Sequence, residues 1–240
     1  MNSVPTLPDP VTTGLVTTDT VLLFDLDGTI TDSYPGITRS FLHALEVLGE
    51  PEPPAEFLQT IVGPPLVESM RALGYDEATS AAGVRAYRAR YDVTGWLENS
   101  VYDGMADMLA DLAGAGRTMA LATSKDQRIA RKILDHFELT SHFTFVGGAD
   151  EAAGRLGKEA VVRHVLETLD ADPASDRLLM IGDRSHDVDG AASCRVPTLG
   201  VRWGYAHAGE LEDALVRAGG PGHDRRIVET VPQLRKVLGV

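Results

Sequence analysis

The sequence predicts an α/β protein: a parallel β-sheet flanked by helices, with an all-helical segment inserted after its first strand. Three observations carry that expectation. Short apolar runs alternate with stretches of helical period along most of the chain, the pattern of strands joined by crossover helices. Most of those runs lack apolar–polar alternation, as strands covered on both faces do. The interval 34–99 breaks the rhythm, showing helical stripes and no convincing strand.

Residues 1–20, rich in Pro, Thr and Gly, read as a loose tail. They lack the basic start and apolar centre of a leader peptide. Val21–Phe24 is the first strand. In 34–99 the residues Ile37, Phe41, Leu45 and Leu48 share one helical face. Leu66, Met70 and Leu73 share a second, and Val84, Tyr87 and Tyr91 a third. This insert is expected to cap the carboxyl edge of the sheet, where α/β enzymes bind ligands. Its cluster of Arg85, Arg88 and Arg90 with Tyr87 and Tyr91 reads as a solvated face. Further strands are expected at 118–122, 143–146, 178–181 and Thr198–Val201, with an edge strand at 226–228. The helices between them carry apolar stripes: Met105, Met108, Leu109 and Leu112; then Ile129, Ile133, Leu134 and Phe137; then Val161, Val162, Val165, Leu166 and Leu169. The expected division is a tail at 1–20, a core at 21–33 and 100–240, and a cap at 34–99.

The bulk composition narrows the function. Over 240 residues the chain is 43% hydrophobic and 24% charged, with a net charge of −13. Such an acidic balance disfavours nucleic acid and anionic membranes as partners, and no apolar run has the length of a membrane span. The single cysteine, Cys194, cannot form an internal disulfide and reads as a small core filler. A reducing, cytoplasmic setting is expected.

Polar residues gather where the strands end. The first strand runs into Asp25-Leu26-Asp27-Gly28-Thr29, the second into Thr123-Ser124-Lys125, and the fourth into Gly182-Asp183, with Asp187 just beyond. Lys158 opens a helix after the third. A parallel sheet places all of these along one rim. Taken alone, each has a plain structural reading as a strand-end pair, a turn or a helix cap; together they converge. Two carboxylates about 4 Å apart repel by about 4 kcal/mol at an effective dielectric near 20, so Asp25 and Asp27 need a compensating charge. Oxygen ligands without paired His or Cys, namely Asp25, Asp27, Asp183 and Asp187, suit Mg²⁺. Thr123 and Ser124 offer donors to an oxyanion, and Lys158 a compact positive charge, with Lys125 in reserve. The set points to phosphoryl transfer, with one carboxylate as nucleophile and its neighbour as proton carrier. His186 reads as a rim residue. Ser33, Tyr34, Gly63, Pro64 and Arg71 are candidate substrate contacts from the cap and its hinge.

DLDGT at 25–29, the strand-end Thr123, Lys158 and GDRSHD at 182–187 together resemble the four motifs of the haloacid dehalogenase (HAD) superfamily of phosphohydrolases. The resemblance covers nearly the whole chain after the tail, and IVGPPL at 61–66 is similar to the phosphoglycolate phosphatase-like branch. It implies a Rossmann-like core with a helical cap, and a Mg²⁺-dependent phosphatase acting on a small phosphomonoester. By that resemblance Asp25 attacks phosphorus, and Asp27 protonates the leaving oxygen and then activates water. Asp25, the backbone carbonyl of Asp27 and Asp183 hold Mg²⁺, with Asp187 assisting. Thr123 and Lys158 bind phosphate, joined on the substrate side by Gly28, Thr29 and Ser124. The haloalkanoate-cleaving branch lacks the second acid, which argues against dehalogenation. FDLDGTITDS at 24–33, TIVGPP at 60–65, ATSK at 122–125 and MIGDRSHDVDGAA at 180–192 are also similar to mycobacterial members of the superfamily described as protein tyrosine kinases. That likeness implies phosphoryl transfer from ATP to tyrosine as an alternative, as does a phosphomutase outcome on the same residues. GRLGKE at 154–159 does not meet the P-loop pattern.

Overall fold

A computed structural model describes residues 16–219 and 227–240. In chain order, β1 is Val21–Phe24, β2 Thr31–Asp32, α1 Tyr34–Leu48, α2 Ala55–Leu58, α3 Leu66–Ala72 and α4 Glu77–Tyr91. There follow β3 (Ser100–Val101), α5 (Met105–Gly114), β4 (Met119–Asp126), α6 (Gln127–His136), β5 (Phe145–Ala149), α7 (Gly157–Leu169) and β6 (Leu178–Gly182). The chain closes with α8 (Ser185–Ser193), β7 (Thr198–Val201), α9 (Glu210–Ala218), β8 (Ile227–Val228) and α10 (Val231–Leu238).

The main sheet runs β5-β4-β1-β6-β7-β8, and every pairing in it is parallel. Strand β1 lies between β4 and β6. The chain first builds outward on the β4 side and then returns to build on the β6 side. That reversal leaves a crevice at the carboxyl ends of the central strands, where ligands of open α/β sheets bind. Alternation along β1 explains the two-sided core: Leu22 and Phe24 join the apolar cluster that also holds buried residues of α1, α5 and α6, while Leu23 joins the one made with α7. Each of these three side chains is fully buried, contributing about 1.5–3 kcal/mol of transfer free energy. Among the described residues, no helix is long and apolar enough to cross a membrane.

Helices α1–α4 lie between β2 and β3, which pair antiparallel with Thr31 opposite Val101 and Asp32 opposite Ser100. Two-residue strands are too short to give a periodic signal, so this stalk is absent from the sequence pattern. Helices α1 and α4 pack through Phe41, Leu45 and Tyr91, all buried.

Three strand expectations shift, that for β6 only by running one residue further, through Gly182. β4 runs on through the polar Thr123-Ser124-Lys125, with an irregular register between Ala122 and Asp126. β5 begins at Phe145, because 140–142 form a short 3₁₀ turn, and it extends through Gly147-Gly148. A side chain at Gly147 would overlap Val165, so the glycine is a packing requirement that an apolar count misses. Ile227–Val228 pairs with β7 as the edge strand, whereas Arg226 lies outside the described residues. Residues 1–15 also lie outside them; the end of the expected tail is a turn in which the Thr17 amide donates to Thr20 Oγ1 at 2.9 Å.

Candidate active site

The Asp25 amide donates to the Ile181 carbonyl at 2.9 Å, so the nucleophile candidate is still held by the sheet. The backbone then turns back on itself. The Ile30 and Thr31 amides both donate to the Leu26 carbonyl, and the Gly28 amide donates to the Thr31 carbonyl at 2.7 Å. Gly28 has φ +85°, left-handed backbone that suits glycine, and a side chain there would overlap the Asp183 carboxylate. The DLDGT turn is thus pressed against the end of β6.

Asp183 is fully buried. Its Oδ1 accepts from Thr29 Oγ1 at 3.1 Å and its Oδ2 from the Tyr205 amide at 2.7 Å. In the first turn of α8, Asp187 Oδ2 accepts from the Arg184 amide at 3.0 Å. Lys158, on the first turn of α7, places Nζ 2.7 Å from Asp25 Oδ1, 2.6 Å from Asp187 Oδ1 and 2.8 Å from the Ala122 carbonyl. Burial and the neighbouring Asp187 and Asp25 push the Asp183 carboxyl well up, and burial pushes Asp187 up against the pull of Lys158. Burial works against the Lys158 charge, yet Asp187 and Asp25 hold its pKa above the ordinary value.

One carboxylate oxygen from each of Asp25, Asp183 and Asp187 falls within a 4.8 Å cluster. When all three acids are ionised, the one ammonium of Lys158 leaves two negative charges uncompensated in a buried place; that burial, with the neighbouring acids, is what pushes the Asp183 carboxyl up. A hard divalent cation such as Mg²⁺ matches both that charge and the all-oxygen donor set. The Asp27 side chain lies outside the cluster. Its Oδ2 is 2.8 Å from Lys125 Nζ, and its Oδ1 is buried with no protein partner. The strain between Asp25 and Asp27 is therefore relieved in part by two separate lysines, which the sequence reading did not foresee. Lys125 Nζ also donates to the Tyr91 hydroxyl at 2.7 Å and lies 4.7 Å from that ring's centre. Tyr87 stacks on Tyr91 with centroids 5.2 Å apart and planes 11° from parallel. These tyrosines face inward, as the helical face read from Val84, Tyr87 and Tyr91 requires, and against the reading of the arginine–tyrosine cluster as a solvated surface.

A cavity of about 720 Å³ opens above this floor between the insert and the sheet edge. Asp25, Asp27, Thr123, Ser124, Lys125, Lys158 and Asp187 line it from the core. From the insert come Gly63, Pro64, Leu66, Val84, Tyr87 and Tyr91, and His186 sits on its wall. Gly28 and Thr29 are not lining residues; they shape and bond Asp183 from behind. Nor do Ser33, Tyr34 or Arg71 line it. The Ser33 and Tyr34 amides donate to the Tyr205 hydroxyl at 2.8 and 3.2 Å, and that hydroxyl donates to Asp32 Oδ1 at 2.9 Å. Cys194 is half-buried at the end of α8, where burial pushes its thiol up.

Sequence reasoning missed Arg184 and Glu210. Arg184 donates from Nε to Glu210 Oε1 at 2.8 Å and from its guanidinium to the Val62 carbonyl of the insert. Glu210 also accepts from the Ser185 amide at 2.8 Å and the His207 amide at 3.1 Å. Burial raises the Glu210 carboxyl, but the Arg184 and amide hydrogen bonds outweigh it and hold the pKa down at about 2.

A family model described as haloacid dehalogenase-like hydrolase matches residues 22–201. The chain is 44% identical over 220 residues to a protein of Mycobacterium tuberculosis named tyrosine-protein kinase PtkA, covering 92% of this chain and 72% of that one. It is 43% identical over 191 residues to a 5′-nucleotidase of Pseudomonas aeruginosa, covering 79% and 86%. Among solved structures, a predicted phosphatase from Clostridium acetobutylicum superposes with a TM-score of 0.82 at 34% identity, covering 93% of this chain and all of that one.

Proposed function

The chain belongs to the haloacid dehalogenase-like hydrolase family, and from that premise we propose that it is a Mg²⁺-dependent phosphatase. It hydrolyses a small phosphomonoester through an aspartyl-phosphate on Asp25. One observation carries the reading: Asp25 lines the cavity, bonded to Lys158 and with one carboxylate oxygen within 4.8 Å of an oxygen from each of Asp183 and Asp187. A nucleophile, a cation seat and an ammonium thus meet where a phosphate fits.

In the first half-reaction an Asp25 oxygen attacks phosphorus. The bond from phosphorus to the leaving oxygen breaks, and that oxygen takes the proton of Asp27. In the second, Asp27 as a carboxylate takes a proton from water, whose oxygen attacks phosphorus. The acyl phosphate bond breaks, inorganic phosphate leaves and Asp25 is restored. Lys158 keeps positive charge beside the transferring group, and Thr123 and Ser124 provide donors from the end of β4. Asp25, Asp183 and the Asp27 backbone carbonyl, with Asp187 alongside, would hold a Mg²⁺, which when bound would add neutralisation of the phosphoryl charge. Residues 34–99 act as a cap that shields the site from bulk water.

A panel of phosphomonoesters assayed with and without Mg²⁺, beside Asp25→Asn, tests the reading. Metal-dependent phosphate release is expected, and the substitution lowers it by at least roughly 10³-fold, as loss of a nucleophile does. Unchanged turnover in Asp25→Asn removes Asp25 from its role. The identity to a relative named as a tyrosine-protein kinase favours a second reading, phosphoryl transfer from ATP to a tyrosine. Labelling of protein tyrosine from ATP without release of phosphate from monoesters supports that one instead.

A further inference from the structure

Lys125 is a buried ammonium gripped from two sides. Its side chain is 8% exposed and forms an ion pair with Asp27 Oδ2 from the turn after β1. Tyr91, in the last turn of α4, accepts from the same Nζ. The Tyr91 ring is fixed in turn by the stacked Tyr87 and by the cation near its face. Asp27 Oδ1 is buried and bonded to nothing in the protein. A carboxylate with one oxygen clamped and the other buried, unbonded and at the cavity has a defined working end.

We propose that Lys125, braced by Tyr91 of the insert, is the positioning residue for Asp27. It pins Oδ2 and leaves Oδ1 as the atom that passes the proton to the leaving oxygen and later receives one from water. The inference rests on the phosphatase reading above and adds to it a link between the insert and the acid. Lys125 reaches the chemistry only through Asp27. Its effect must therefore depend on whether the leaving group needs a proton, and it must vanish when Asp27 cannot carry one. A lysine that binds the phosphate itself behaves differently on both counts.

The full chain with Mg²⁺ is assayed in single turnover for the first half-reaction. One substrate is 4-nitrophenyl phosphate, whose leaving group departs without protonation; the other is an alkyl phosphate that wild type hydrolyses, whose leaving group requires it. Lys125→Met is expected to slow the alkyl substrate about 10–100-fold, part of what general acid catalysis supplies, and the nitrophenyl substrate less than about 3-fold. Tyr91→Phe, which removes only the bracing oxygen, shifts both rates in the same pattern but less, and keeps the comparison available if Lys125→Met does not fold. In an Asp27→Asn background, adding Lys125→Met costs less than about 2-fold more. Equal losses on both substrates, or losses that multiply in the double variant, overturn the proposal and assign Lys125 to the phosphate or to the fold. Wild-type release from the two monoesters decides the phosphatase reading separately.

Discussion

Asp183 keeps a carboxylate where water does not reach, with one donor on each oxygen: the Thr29 hydroxyl and the Tyr205 amide. Its seat depends on Gly28, whose missing side chain lets the DLDGT turn approach. Gly28→Ala adds a left-handed backbone penalty of about 1–2 kcal/mol and displaces the carboxylate. The expected outcome is a melting temperature lowered by several degrees and a larger loss of Mg²⁺ affinity, read by thermal melts over a metal titration. The acids themselves were legible, because their spacing at strand ends carries the chemistry. The Lys125–Tyr91 contact was not, since those residues lie far apart in sequence and no spacing rule joins them. Thr29 was read as a substrate ligand; in the fold its hydroxyl donates to Asp183, a contact that the sequence did not signal.

Between elements, Arg184 and Glu210 act as a strap. The start of α9 holds the start of α8 through Glu210, and Arg184 reaches across to the Val62 carbonyl beside Gly63. With its pKa held near 2 against an ordinary value of 4.5, Glu210 binds a proton more readily when the chain is unfolded. Its contribution to stability is therefore complete above about pH 4.5 and lost as pH falls towards about 2. Glu210→Gln is expected to melt several degrees below wild type at pH 7, with the gap narrowing below about pH 4.5; paired thermal melts across pH check it. The periodic elements were foreseen: the apolar stripes of α5 and α7 are buried or half-buried as their spacing requires. The limits of β5 and the β2–β3 pair were not. Glycines stand in β5 for close approach, and two-residue strands have no period to read.

For the whole molecule, the parallel sheet turns separate sequence motifs into one place. Asp25, Lys158 and Asp187, spread over most of the chain, meet with Lys158 within hydrogen-bond distance of both acids, because the segments that follow β1, β5 and β6 all leave from one edge of the sheet. A cation bound among the buried acids would make the fold itself responsive to it. At a free Mg²⁺ concentration a hundredfold above its Kd, binding adds about 2.7 kcal/mol, so the melting temperature is expected to rise by about 5–10 °C. Asp183→Asn should remove most of that rise, and a flat response in wild type would remove the cation from the site. The fold class was legible because alternating strand and helix patterns dictate it; the content of the cavity wall was not, because it comes from packing the insert against a distant strand end.

The paired stalk of β2 and β3 has one more consequence. The chain departs at Asp32 and comes back at Ser100, directly opposite each other, so to the sheet the four intervening helices are topologically no more than a long hairpin loop. A junction whose two ends lie side by side is one at which inserted segments are tolerated, so a change in the length of the helical excursion is expected to leave the sheet and the acids at its edge in register.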